Sequence, residues 1–323
     1  MRQGKKPMRA LFYAHFNEFG RVDDYVMYQL EHMRPLFDLV VVISNSPVSE
    51  ADKARLSPLC DRLIQRANVG YDFAAWRDGM NEVGWGELAK YDELTVMNDT
   101  CFGPLFDFGA IYSQMQAGGA DYWGMTTNIA LTDLVFDGAG NVVPTPAHLQ
   151  SYYLTFISQV IASPAFREFW KGVKDFTDAH DVINNYEIGL GQVLASAGFS
   201  YGAYFDTVKY WSEGDLTKYN AAFACPLWLL EAVQGYPFVK TKAIRLAPEE
   251  VDGIRAFVEN NTNYPVQLID SYIGARYSAL WREKDNEFQS AINSKSFKLG
   301  QALLSPFRRV ARPGRGRHVR IAG

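Results

Sequence analysis

Four strand-length runs recur at regular spacing through the first hundred residues: RALFYAH at 9–15, LVVVIS at 39–44, RLIQRA at 62–67 and ELTVM at 93–97. Helix signals fill the gaps between them. Asp23 or Asp24 caps a helix expected to reach about Phe37, and Ser49 opens a second, with Asp52 three positions on. Asp72 is the expected N-cap of a third, Phe73 to Val83. Strands alternating with helices at this spacing predict βαβ units and a mostly parallel sheet.

The rhythm changes after residue 100. DYWGMT at 121–126, QSYYLTF at 150–156 and GFSYGAYF at 198–205 read as strands, and LVFDGAGNVV at 134–143 as a hairpin with a Gly-rich turn. Ser163-Pro164 opens a helix, and Asp181 opens another that stops at Gly198. The expected organisation is a flexible N-terminus over 1–7 and a single α/β domain over 8–290. That domain has an α/β half at 8–100 and a mixed half at 101–290, and a basic tail follows at 291–323.

Hydrophobic residues make up 48% and charged residues 21%, enough apolar material for a sizeable core. The cysteines, Cys60, Cys101 and Cys225, are far apart, with no CxxC pair; this predicts free thiols rather than a zinc site or disulfide framework. The apolar run after Met1–Pro7 is short and meets His15, Asn17 and Glu18, so neither a signal peptide nor a membrane span is expected, and the predicted location is the cytoplasm. Eight Lys and Arg and no acid follow Ser290, which leaves the rest of the chain at −12 within a formal net charge of −4. An acidic body argues against nucleic acid as a partner. The tail, with Phe297, Leu303, Leu304 and Phe307 ahead of its arginines, reads either as a solvated terminus or as a peripheral contact with the inner face of the cell membrane.

In open parallel sheets, ligands bind beyond the carboxyl ends of the strands, where strand order reverses. Those ends here are His15-Phe16-Asn17, Ser44-Asn45-Ser46, Asn68 to Asp72 with Gly70 between, and Asn98-Asp99-Thr100. Together they predict a polar rim suited to a nucleotide.

Several segments carry a more specific likeness: VDDYVMYQL at 22–30, NVGYDFAAWRDGM at 68–80, YDELTVMNDTCFGPL at 91–105, DYWGMT at 121–126, HLQSYYLTF at 148–156 and DVINNYE at 181–187. Over residues 9–245 the chain resembles the rhamnan synthesis F family of glycosyltransferases. The resemblance implies a GT-A-like, Rossmann-type fold whose nucleotide-binding half is 8–100 and whose acceptor half is 101–290. It implies a nucleotide-sugar donor (dTDP-L-rhamnose in the best-known members) and a polysaccharide or lipid-linked glycan acceptor. GT-A enzymes place an Asp-x-Asp motif at a strand end, where its acids hold a divalent metal, Mg or Mn, on the donor diphosphate. Here the aligned triplet is Asn98-Asp99-Thr100, so Asp99 is the one metal candidate.

The remaining roles follow the same likeness. His15, Asn45, Asn68, Gly70, Asp72, Arg77, Asn98, Asp99, Thr100 and Lys240 are the donor-side candidates; Arg77 is placed to pair with Asp72 or phosphate, and Tyr71 or Phe73 to stack on a base. Trp123, Gln150 and Ser151 are the acceptor-side candidates. Inversion at the anomeric carbon needs a base for the attacking hydroxyl. Glu187 is the first choice, because it interrupts the helical stripe Ile183, Leu190, Leu194, and because YEIGLGQVLASAGF resembles the base-bearing helix of family 2 enzymes. His148 is the second. The competing reading is a catalytically inactive carbohydrate or nucleotide-sugar binding protein on the same fold, prompted by Asn98 and Thr100 where acids are expected.

Overall fold

The computed structural model describes residues 6–128, 135–136, 142–143, 147–207 and 226–276. Residues 1–5, the hairpin loop at 137–141 and the basic tail therefore lie outside the described residues.

β1 (Arg9–His15) is buried at every position. A parallel strand covered on both faces has no need of polar alternation, which is why it reads as a continuous apolar run. It lies parallel between β2 (Leu39–Ser44) and β4 (Glu93–Asn98), and β3 (Arg62–Gln65) extends the sheet beyond β2. β3 is shorter than expected: Arg66 turns away, its guanidinium reaching Asn45, Asp78 and the Val69 carbonyl.

Four short strands, β5 (Cys101–Phe102), β7 (Val135–Phe136), β8 (Val142–Val143) and β9 (His148–Leu149), lie off the main strand path. β6 (Tyr122–Asn128), β10 (Tyr153–Ile157) and β11 (Tyr201–Phe205) join it, giving the order β11-β6-β10-β4-β1-β2-β3. Along that path β10 alone runs against its neighbours. β9 pairs with the end of β6, β7 with β8 as the expected hairpin, and β5 with β12 (Val239–Lys240). The fold is thus α/β with a mostly parallel sheet, as expected, and both halves of the chain contribute to it. Two strands start late: β10 begins at Tyr153 because 151–152 form a turn, and β11 at Tyr201.

Helix α1 (Asp24–Met33) is followed by a separate 3-10 turn, Arg34–Leu36, where Pro35 interrupts the ladder. α2 (Glu50–Leu56) is capped as expected, Ser49 Oγ accepting from Asp52 N at 3.1 Å. α3 (Tyr71–Val83), α4 (Phe108–Gly118), α5 (Pro164–Gly172) and α6 (Val251–Asn261) complete the set used below. α3 and α5 cover one face of the sheet. Phe73 stacks on Trp170 at 5.7 Å, and Gly79 lets α3 approach, since a Cβ there would come within 2.9 Å of Phe12 and Ile43. Phe73 is fully buried in this core, so it offers no face to a base.

α4 packs across the middle of the sheet, its Tyr112 Oη meeting Thr95 of β4 and Tyr153 of β10. There Arg9 and Glu93 form a buried ion pair at 2.5 Å, with Gln116 Nε2 on the second carboxylate oxygen and the guanidinium 4.2 Å from the Tyr112 ring. Trp123 sits here too, edge-on to Tyr112 and tilted on Tyr153, only 2% exposed. It is a core residue and presents no face to an acceptor sugar, contrary to expectation. Among the described residues no helix is long and apolar enough to cross a membrane. The chain divides into units 1–269 and 270–323; of the second, residues 270–276 are described and helical.

Candidate functional site

From β1 the chain winds outward through β2 to β3, then returns over the sheet to β4 on the other side of β1. The reversal opens a crevice at the carboxyl ends of β1 and β4, where open α/β sheets bind ligands. Asp99 bridges it. Its carboxylate accepts from the Phe16 N–H at 2.9 Å, and its carbonyl accepts from Tyr25 Oη at 2.8 Å. Burial raises the Asp99 pKa to about 7; the Phe16 N–H opposes this, and the charges of Asp23 and Asp72 add to it.

Beside the crevice, His15 Nδ1 lies 2.9 Å from Ser44 Oγ, which donates to the Ser46 carbonyl at 2.8 Å. Asn17 N donates to Ser46 Oγ at 2.8 Å. Burial lowers the His15 pKa to about 4, so the ring is neutral at physiological pH. Asn45 takes Arg66 on its oxygen at 2.8 Å and donates to the Tyr71 carbonyl at 3.2 Å. Asn68 is exposed in the loop before α3.

Gly70, not Asp72, occupies the N-cap of α3, at φ 72°. The left-handed backbone suits glycine, and a Cβ would come within 2.5 Å of Ala74 Cβ and 2.8 Å of Asp175 Oδ1. Tyr71 follows at φ 56°, exposed, its hydroxyl donating to the Thr177 carbonyl at 3.2 Å. Asp72 therefore lies inside the first turn, where its Oδ1 accepts from the Phe73 N–H at 2.9 Å and its Oδ2 from Asn98 Nδ2 at 2.8 Å. Asn98 in turn accepts from Thr100 Oγ1 at 2.6 Å, and Lys240 Nζ donates to that hydroxyl at 2.7 Å. Lys240 is buried, 4.2 Å from the centre of the Tyr152 ring, in a setting unlike that of an ordinary surface lysine.

Glu187 approaches Asp72 from the other half of the chain. Its Oε2 accepts from Ser151 N at 2.8 Å and from Ser151 Oγ, and its Oε1 lies 3.4 Å from His148 Nε2. Burial pushes the Glu187 carboxyl up, but His148 and the Ser151 donors outweigh it and hold it below the usual value. Asp72 is raised, first by burial and further by the charge on Glu187. Gln150 accepts from Thr126 Oγ1 at 2.6 Å.

The helix carrying Glu187 is not continuous. Asp178, not Asp181, caps it, Ala179–Val182 are α-helical, and Ile183–Ile188 form a π-helical turn before Gly189–Ser196. Such turns are rare and are found disproportionately at functional sites. Arg77 does not reach Asp72. It pairs with Asp78 at 2.7 Å and Asp175 at 2.9 Å and donates to the Val173 carbonyl at 2.7 Å. Asp175, unmarked by any sequence signal, thus ties the segment ahead of the π turn to the loop at Gly70.

The structure brings Asp72, Asn98, Thr100 and Lys240 into one chain of contacts, with His148, Ser151 and Glu187 in a second beside it. Among the described residues no group of three or more His, Cys, Asp and Glu side chains is arranged to hold a metal ion.

A polar rim over the reversal point of a mostly parallel sheet defines an α/β protein of the doubly wound kind. Within that class, the chain belongs to the rhamnan synthesis protein F family, whose model matches residues 40–296. Uncharacterised protein y4gN of Sinorhizobium fredii (strain NBRC 101917 / NGR234) is 29% identical over 205 residues, 63% of this chain and 50% of its own length. The chain thus spans half of that relative. Virulence protein VirA of Vibrio anguillarum is 25% identical over 245 residues, 68% of this chain and 73% of its own. Among solved structures, 4-diphosphocytidyl-2C-methyl-D-erythritol synthase of Anaerococcus prevotii matches 62% of this chain and 90% of its own, at 9% identity and TM-score 0.39. Core-mannan synthase A of Aspergillus fumigatus matches 53% and 64%, at 6% identity and TM-score 0.30.

Proposed function

We propose that the chain is a glycosyltransferase that moves a sugar, L-rhamnose in the first instance, from a nucleotide-sugar donor such as dTDP-L-rhamnose to a growing cell-surface polysaccharide or lipid-linked glycan, with inversion. The observation that carries this reading is the Glu187 carboxylate, fixed by Ser151 and His148 and near enough for its charge to raise the carboxyl of Asp72, which takes Asn98 at the strand end. Membership of the rhamnan synthesis protein F family supports the substrate class.

In this reading the donor lies over the β1–β4 crevice. Asn98, Thr100 and Lys240 offer hydrogen bonds and one positive charge to its diphosphate, and Asp99 faces the same place. Asp99 is the residue that would hold a divalent cation there. When bound, the cation neutralises the leaving diphosphate. Glu187 removes the proton from the acceptor hydroxyl as it attacks the anomeric carbon. His148 and Ser151 act through Glu187 by orienting it, which makes them positioning groups. The tail contributes a peripheral contact with anionic membrane on the cytoplasmic side, close to a lipid-linked acceptor.

The test is a donor-hydrolysis and transfer screen over a panel of nucleotide sugars, with and without Mg or Mn. Release of free nucleotide from one donor, and faster release with a glycan acceptor, is the expected result. Tight binding of a nucleotide sugar with no turnover on any acceptor favours the inactive binding protein, the reading to which Asn98 and Thr100 point.

A further inference from the structure

A cavity of about 750 Å³ opens between α1, the chain that follows β5 and the C-terminal end of α6. None of the strand-end residues lines it, and its volume falls within the range of small-ligand sites. On one wall the rings of Tyr28 and His32 stack at 3.8 Å. Asp107, Glu259, Asn260 and Asn263 supply polar groups, and none of the lining residues is Lys or Arg. A phosphate or nucleotide here would meet two carboxylates with neither Lys nor Arg to offset them. A neutral polyhydroxyl ligand suits the same walls: amides and carboxylates take hydroxyl groups, and aromatic surface takes the apolar face of a sugar ring.

The cavity is linked to the strand-end site through α1. Tyr25 of that helix holds the Asp99 carbonyl, and Tyr28 and His32 lie further along it, about 5 Å and 10 Å at the helical rise of about 1.5 Å per residue. Pro104, which also lines the cavity, comes four residues after Thr100.

We infer that the cavity is a glycan-binding subsite that holds the body of a neutral acceptor chain away from the point of transfer; this rests on the transferase reading for its purpose, not for its ligand class. The experiment uses the full chain and a neutral rhamnose tetrasaccharide as probe, titrated by calorimetry. Asn260→Ala combined with Asn263→Ala should weaken tetrasaccharide binding about tenfold, the effect of losing one or two hydrogen bonds. Asn260→Trp, which places a bulky ring on the cavity wall and removes the amide, should weaken it at least as much. Nucleotide-sugar affinity should stay unchanged in both. Equal tetrasaccharide affinity in wild type and both variants, or no binding by the wild type, overturns the inference. If the wild type turns over no nucleotide sugar but the variants still lose the tetrasaccharide, the subsite stands and the transferase reading falls.

Discussion

Glu187→Gln separates proton removal from every other role of the side chain. The amide is isosteric: its oxygen can keep the Ser151 N–H, now 2.8 Å from Oε2, while its NH₂ turns toward His148 Nε2, now 3.4 Å from Oε1. The fold should therefore tolerate the change, and donor affinity should be nearly unaltered because Glu187 serves the acceptor. General-base catalysis contributes about 10²–10⁴-fold. A carboxylate held below its usual pKa is ionised at neutral pH but is a weaker base, so the expected loss lies at about 10²–10³-fold in kcat. The wild-type rate should fall on an acid limb below the ordinary Glu range, and the variant should lack that limb. The assay is transfer rate against pH, with nucleotide-sugar affinity measured in parallel. Full transfer rate in the variant would refute the reasoning and make His148 the leading base. Lost affinity with retained turnover would mean that Glu187 binds substrate instead.

Asp99 has its folded pKa raised to about 7, so its burial destabilises the fold fully above that pH and not at all below its unfolded value. Asp99→Asn should therefore raise the melting temperature at pH 8 but leave it almost unchanged at pH 4, while weakening donor use and any metal dependence; an equal shift at both pH values contradicts this. Gly70→Ala places a Cβ in a left-handed backbone position against Ala74 and Asp175, and should cost at least about 1–2 kcal/mol in denaturant unfolding. Truncation after Ser290 should leave nucleotide binding intact and reduce sedimentation with anionic vesicles; equal partitioning of both forms removes the membrane role of the tail.

The parallel strands were legible because burial on both faces writes itself as an unbroken apolar run, and the rim was legible because the ends of such strands meet at the reversal of strand order. The partners within the rim were not. Ser151 and His148 meet Glu187 across 36 and 39 residues of chain, through β10 and a turn whose geometry no local spacing encodes. The same double burial that made the sheet readable hid Trp123, since a strand covered on both sides gives no alternation to separate a core ring from an exposed one. The surroundings of Lys240 were hidden for a related reason: its place over Tyr152 and on Thr100 depends on β12 pairing with the short β5, a contact spanning 140 residues of sequence.

Glu187 shows the limit most clearly. The stripe argument assumed an unbroken α-helix, with each residue turned by the same angle from the last. The π turn at Ile183–Ile188 inserts extra arc within that segment, so residues before and after it no longer share the faces the sequence assigns them. Glu187 was picked out as an acid among apolar neighbours, yet what stabilises it is the pair of Ser151 donors and the nearby imidazole, none of them on its own helix. A buried carboxylate needs such partners wherever they come from. Sequence can therefore mark the residue that needs them, while the identity of the partners, and with it the chemistry, is fixed only when the two halves of the chain join one sheet.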